Sequence, residues 1–270
     1  MTLEAVNMNE NQQYLLDLQG YLVIEDALGA AEVAALNQLL DQHDLPTGET
    51  LRFGSAAGSF PEGPGFLSWG KPFCDLLDHP RVMPALRFWL GDCFRLDRLY
   101  GLCVQEGNPW GPMHADYGAS RITSEAEPGR YHPFRDNEIV NGFAVVAWNL
   151  AAVGPQYGGF CCIPGSHKSN YRLPQDYFDA PAQAPCVIVP EAPAGSVIIF
   201  SEALTHGTAA WTGKHERRSL LYKYCVSQMA WSSNRVRPPD NVELTSRQQI
   251  LFREPADPHR FFPSLFEEAE

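Results

Sequence analysis

The chain has 270 residues, 44% hydrophobic and 19% charged, the make-up of an ordinary globular protein large enough to bury a core without staples. Its net charge of −12 excludes a basic nucleic-acid-binding face. No apolar run is long enough to span a bilayer, and the seven cysteines, with 161 and 162 adjacent and no CxxC, do not read as a disulfide framework or a zinc ribbon.

The N-terminal MTLEAVNMNENQQ lacks the basic and apolar regions of a signal peptide, so a cytoplasmic location with reduced cysteines is expected. Residues 8–18 read as a short helix, and GYLVIEDAL (20–28) as a short strand leading into a turn. AAEVAALNQLLDQHD (30–44) is an amphipathic helix with Val33, Leu36, Leu39 and Leu40 on one stripe. The Gly-, Pro- and Ser-rich segment 45–72 reads as loop. Residues 71–91 read as helix split at Pro80, with Arg81 opening the second piece and Gly91 closing it.

From about residue 93 the pattern changes to short β-prone runs between Gly/Pro turns. Segments 94–107, 142–151, 158–164, 184–190, 195–207 and 217–229 read as extended, and 244–252 as a short helix. Helices followed by evenly spaced strands predict a mainly β fold with flanking α-helices, built on a barrel or double-sheet jelly-roll core. One domain is expected, with helical support over 1–92, the core over about 93–230 and a tail over 231–270.

The chemistry is concentrated in GPMHADYG (111–118), which sets His114 and Asp116 two residues apart. In an extended segment such residues share a side, so one imidazole and one carboxylate can reach a single metal ion. His206 in SEALTHGTAAW, read as the end of an apolar strand, is the best third ligand. Two His and one carboxylate form the facial set of non-haem Fe(II) oxygenases, which leaves open positions for co-substrate and dioxygen. Arg217 follows, and a buried guanidinium beside a metal offers a planar fork for the distal carboxylate of 2-oxoglutarate. Arg218 is the neighbouring choice, since alternation turns only one of the two inward, and Glu216 offers Arg217 a surface ion pair instead. Thr208 shares a side with His206 and can bond the same carboxylate.

These residues carry a resemblance. The chain resembles the phytanoyl-CoA dioxygenase family of Fe(II)/2-oxoglutarate oxygenases over roughly residues 20–230. GYLVIEDAL, HAD at 114–116, VVAWNL, GGFCCIPGSHK (158–168), GSVIIF, HGT and RRSLLYKY occur in the family's order. The resemblance implies a double-stranded β-helix (jelly-roll, cupin-like) core, Fe(II) on His114, Asp116 and His206, and 2-oxoglutarate on Arg217 and Thr208. Trp148 is similar to a family position lining the co-substrate pocket, although the residue itself reads equally as a core aromatic. The reaction implied is hydroxylation of a small molecule with release of succinate and CO2, because a carboxylate stands where related halogenases carry a small residue.

His167 reads as part of a turn bracing the core and His215 as exposed, while His43, His79, His132 and His259 lie outside any ligand pattern. Segment 117–141, with Arg121, Arg130, Tyr131, His132 and Arg135, is expected to cover the site and to hold a polar or anionic substrate. Residues 45–70, with Arg52, Phe53 and Trp69, offer a second wall. The alternatives are a cupin-like metal enzyme that does not use 2-oxoglutarate and a non-catalytic small-molecule-binding barrel. Neither nucleic acid nor membrane is expected as a partner.

Overall fold

The structure, a computed structural model, describes residues 7–46, 51–56, 62–116, 134–135, 138–139, 142–169, 171–231, 234–256, 259 and 261–267. In chain order its regular elements are α1 (Glu10–Gln19), β1 (Tyr21–Ile24), α2 (Ala30–Leu40), β2 (Arg52–Ala56), a 3-10 turn at Gly65–Trp69, α3 (Lys71–Cys74), α4 (Met83–Leu90) and β3 (Phe94–Val104). There follow β4 (Phe134–Arg135), β5 (Glu138–Ile139), β6 (Phe143–Asn149), β7 (Gly159–Cys162), a 3-10 turn at Ser166–Lys168, α5 (Gln175–Asp179), a 3-10 turn at Pro181–Gln183, β8 (Val197–Ser201), β9 (His206–Ala209), β10 (Arg217–Val226) and α6 (Ser246–Ile250).

The frame is an antiparallel six-stranded sheet in the order β1-β8-β6-β10-β3-β2. A smaller sheet pairs β7 with β9, and single bridges add His114 opposite His206 and Ile188 opposite Cys162. Two facing sheets, open rather than closed into a barrel, make the expected jelly roll. Both edges of the large sheet, β1 and β2, come from the N-terminal segment.

Each face of the large sheet is covered. On the outer face Val146, Trp148, Ile199, Leu220, Tyr222 and Tyr224 join one core with Leu36, Leu40, Phe73 and Leu86 of the helical layer. Tyr222 and Tyr224 are tied there by their hydroxyls, which donate to the carbonyls of Phe73 (2.6 Å), in the short α3, and Leu77 (2.7 Å), just past it. Each such bond is worth about 1 kcal/mol net, and losing one strands a buried polar group at greater cost. On the inner face Val145, Ala147, Ile198, Phe200 and Leu221 meet Phe160 and Cys162 of the small sheet.

α1 begins with a capping box, in which the Asn9 side chain accepts from the Gln12 N–H (2.9 Å) and the Gln12 side chain accepts from the Asn9 N–H (3.1 Å). It ends at Gly20, whose φ of 78° turns the chain directly into β1.

The structure corrects three strand and loop assignments. Segment 45–72 is not all loop: β2 forms there and pairs with β3, and Gly65–Trp69 is a 3-10 turn. Segment 184–190 is not a strand, and only Ile188 bridges to Cys162. Segment 195–207 is not one strand but two. β8 stops at Ser201, the turn Glu202–Thr205 leaves the large sheet, and β9 begins at His206 in the small one. The Ser201 carbonyl accepts from the Leu204 N–H (3.0 Å) and its hydroxyl from the Ala203 N–H (3.2 Å), which fixes the turn. The second helical piece opens at Met83 rather than Arg81 and does end at Gly91. All seven cysteines are free thiols, five of them buried.

Candidate metal centre and co-substrate cavity

The crossing between sheets places His206. Beyond the turn, the Thr205 N–H donates to the Ser166 hydroxyl (2.8 Å) and the Ile163 N–H donates to the Thr205 carbonyl (2.9 Å). The PGSHK segment is thus the anchor on which the chain enters β9. Its His167 is buried and holds the α1 end, with Nε2 3.0 Å from the Asp17 carbonyl and the ring against Gly20.

His114 is placed by pairing with β9. The N–H of His114 donates to the His206 carbonyl and the N–H of His206 to the His114 carbonyl, both at 2.8 Å. Their rings lie 4.5 Å apart, centroid to centroid. Nδ1 of His114 faces the Pro112 carbonyl at 3.0 Å, and Nδ1 of His206 faces the Leu204 carbonyl at 2.8 Å. A carbonyl only accepts, so each Nδ1 carries a hydrogen and each Nε2 is the nitrogen turned to other partners. Burial pushes the His206 pKa down to about 3, and His114 adds to this against the pull of Asp116, so the ring is neutral at pH 7. A neutral imidazole held through its other nitrogen is the form that binds a metal.

The Asp116 N–H donates to the Glu202 carbonyl (2.9 Å), and its Oδ2 lies 2.8 Å from Lys223 Nζ. Burial opposes the charge of its carboxyl, but Lys223, His206 and His114 outweigh it and hold the pKa well below the usual range. Among the described residues no set of three His, Cys, Asp or Glu side chains converges closely enough to form a metal-holding group, so His114 and His206 are brought together while the carboxylate of Asp116 leans on Lys223.

Between the sheets lies a cavity of about 460 Å³, whose lining includes His114, His206, Thr208, Arg217, Tyr100 and Lys223. Phe160, Phe200, Leu221 and Val104 give it apolar walls. Arg217 is 3% exposed, and its Nε and Nη1 have no hydrogen-bond partner among the described residues. Burial drives its pKa down to about 10, which leaves the guanidinium charged. Arg218 faces the helical side, bound to Asp41 (2.7 Å) and Glu216 (2.5 Å). The surface ion pair with Glu216 thus belongs to Arg218.

Trp148 does not line this cavity, a correction to the expectation. It is fully buried on the outer face, edge-on to His79 at 5.1 Å, and Ala147 takes the cavity position. His215 is exposed, with Nε2 3.0 Å from the Ala152 carbonyl. Arg121, Arg130, Tyr131 and His132 lie outside the described residues, as do the side chains of Arg135 and the rest of the expected cover. Arg52 does reach the cavity rim, stacked 4.5 Å over Tyr100.

Sequence reasoning missed Lys223 and Glu202. The first was within reach, because Arg217, Ser219, Leu221 and Lys223 fall on one face of a strand by alternation.

The donor set suits a divalent metal and a dicarboxylate in kind: two imidazoles, one ionised carboxylate and one buried cation without an acid among the described residues. Fold and cavity together define a protein of the double-stranded β-helix class. The model of the phytanoyl-CoA dioxygenase family matches residues 16–219, and the chain belongs to that family, whose members depend on Fe(II) and 2-oxoglutarate. Dioxygenase af480 of Aspergillus fumigatus is 26% identical over 168 residues, which are 62% of this chain and 47% of that protein, so the chain spans about half the length of this curated relative. Among solved structures, HygX from Streptomyces hygroscopicus with nickel and 2-oxoglutarate bound is 22% identical with a TM-score of 0.68, over 83% of this chain and 89% of that one. SnoK, a non-haem alpha-ketoglutarate-dependent carbocyclase from nogalamycin biosynthesis, is 18% identical with a TM-score of 0.57, over 83% and 86%. At these identities the two structures establish the fold. No helix among the described residues is long and apolar enough to cross a membrane.

Proposed function

We propose that the chain is an Fe(II)- and 2-oxoglutarate-dependent dioxygenase that hydroxylates a small molecule, with release of succinate and CO2. His114, Asp116 and His206 are the metal ligands, and Arg217 with Thr208 holds the distal carboxylate of 2-oxoglutarate. The observation that carries this reading is the buried guanidinium of Arg217, whose Nε and Nη1 have no hydrogen-bond partner among the described residues, in the same cavity as two imidazoles whose Nε2 atoms make no hydrogen bond among those residues. A buried cation that lacks an acid is costly, and an incoming dicarboxylate repays that cost.

Bound there, iron and 2-oxoglutarate would supply the oxidising chemistry that takes a hydrogen from substrate. The chain's own part is positional. The Pro112 and Leu204 carbonyls orient the imidazoles through Nδ1, and Arg217 offers a buried cationic donor to the carboxylate. Phe160, Phe200 and Leu221 make one wall of the cavity apolar. Arg52, on the rim and without a carboxylate partner among the described residues, suits a polar or anionic substrate group. HygX has also been crystallised with hygromycin B, and SnoK is a carbocyclase, so this fold serves more than one outcome. The carboxylate of Asp116 favours hydroxylation here, since it fills the position a halide would need.

The test is an anaerobic titration of the full chain with Fe(II) and 2-oxoglutarate, following the visible charge-transfer band of the chelate. The band should form with the intact chain and vanish in His206→Ala. Iron binding with no band would remove 2-oxoglutarate from the assignment.

A further inference from the structure

Behind the proposed ligands lies a buried ionic cluster that the proposed function does not use. Lys223 sits on the cavity face of β10 with its side chain 5% exposed. Its Nζ is 2.8 Å from Asp116 Oδ2 and 3.0 Å from Glu202 Oε1. Glu202 is fully buried and also receives Arg98 Nη2 at 3.0 and 3.2 Å. Asp97 is shared by Arg95 and Arg98, each at 3.3 Å. The register of β10 against β3 skips Asp97, pairing Lys223 with Arg98 and Tyr224 with Leu96, and this irregularity gathers the charges on one side. Three cations and three anions balance.

Such a cluster is a poor source of stability, because the desolvation of each buried ion offsets the attraction between them. Its geometry points elsewhere. Residue 202 grips Asp116 twice, through its own carbonyl to the Asp116 N–H and through its carboxylate, which holds Lys223 against Asp116 Oδ2. Asp116 Oδ1 accepts no hydrogen bond from any described residue. We propose that Lys223 is a positioning residue for Asp116: its ammonium, held from behind by Glu202, ties down Oδ2 and leaves Oδ1 as the metal donor. The inference rests on reading Asp116 as a metal ligand.

The experiment measures Mn(II) affinity of the full chain by electron paramagnetic resonance, with the melting temperature of each variant alongside. Lys223→Met should weaken Mn(II) binding roughly 10-fold, in line with the loss of an outer-shell partner. Lys223→Arg, which keeps a cationic donor, should restore most of it. The double variant Glu202→Gln/Lys223→Met removes both charges, so Glu202 is not left as a stranded carboxylate in the core, and it should bind Mn(II) as weakly as the single variant. It decides the matter if the single variant does not fold. Unchanged or tighter Mn(II) binding in folded Lys223→Met or in the double variant overturns the inference and leaves the metal site standing. A lower melting temperature with an unchanged Mn(II) constant means a structural lysine, and also overturns it. No Mn(II) binding by the intact chain overturns both this inference and the ligand assignment.

Discussion

Arg217 and Arg218 are consecutive in β10 and serve opposite faces of the large sheet: Arg217 is buried in the cavity with two guanidinium nitrogens unpartnered, while Arg218 is tied to Asp41 and Glu216 beside α2. This division gives a two-sided prediction. Arg217→Met should raise the dissociation constant of 2-oxoglutarate roughly 10- to 100-fold, equivalent to about 1.5–3 kcal/mol for bonds to a charged group. Without 2-oxoglutarate the same variant should melt higher than the parent, because an uncompensated buried charge has been removed. Arg218→Met should leave 2-oxoglutarate binding unchanged and lower the melting temperature slightly. Calorimetric titration and thermal unfolding check the pair.

Trp148 and Ala147 make a second contrast. Trp148→Ala should destabilise the fold by about 3–5 kcal/mol, the usual cost of emptying a buried aromatic site, and leave 2-oxoglutarate affinity intact in the folded fraction. Ala147→Phe places a ring in the cavity and should abolish 2-oxoglutarate or substrate binding. Weakened 2-oxoglutarate binding in Trp148→Ala, measured well below its melting temperature, would return the indole to the co-substrate pocket.

Gly20 is constrained twice. Its φ of 78° is left-handed, and an added Cβ would lie 2.4 Å from His167 Nδ1. Gly20→Ala should therefore cost more than the roughly 1–2 kcal/mol of left-handed strain alone, read as a lower urea midpoint. Mn(II) affinity of the folded variant should change little, since the bonds that set the entry to His206 run through Ser166 and Ile163 and not through Gly20.

Stability should fall with acid partly through His79. Burial lowers its pKa from 6.5, and its Nδ1 accepts from the Arg81 N–H (3.3 Å), which requires the neutral ring. The unfolded chain binds this proton more readily than the folded one. The contribution is thus complete above pH 6.5 and is lost as pH falls below it. His79→Gln should flatten the fall in unfolding free energy below about pH 6.5. The lowered pKa of His206 acts in the same direction, so part of the slope should remain.

The element types were largely legible in the sequence. α1 begins at a capping box and ends at a glycine, and α2 carries its apolar stripe, so local chemistry alone marks them. β2 was hidden because it lies among Gly- and Ser-rich residues and is a strand only by pairing with β3. The run 195–207 reads as one strand because both flanks are apolar, and nothing local marks the crossing between sheets at Glu202–Thr205.

What the sequence determined by itself was the kind of chemistry and its order along the chain: an imidazole and a carboxylate two apart, a second imidazole far downstream, and an arginine after it. It also determined that neighbours in a strand oppose one another, so one of Arg217 and Arg218 had to face inward. Tertiary structure alone decided which one. It also decided that Trp148 faces the helices, that His206 opens a strand of the small sheet, and that Lys223 and Glu202 stand behind Asp116. The reason is physical. Alternation fixes relative sides, but absolute sides are marked only when one face meets water, and here β6, β8 and most of β10 are buried on both.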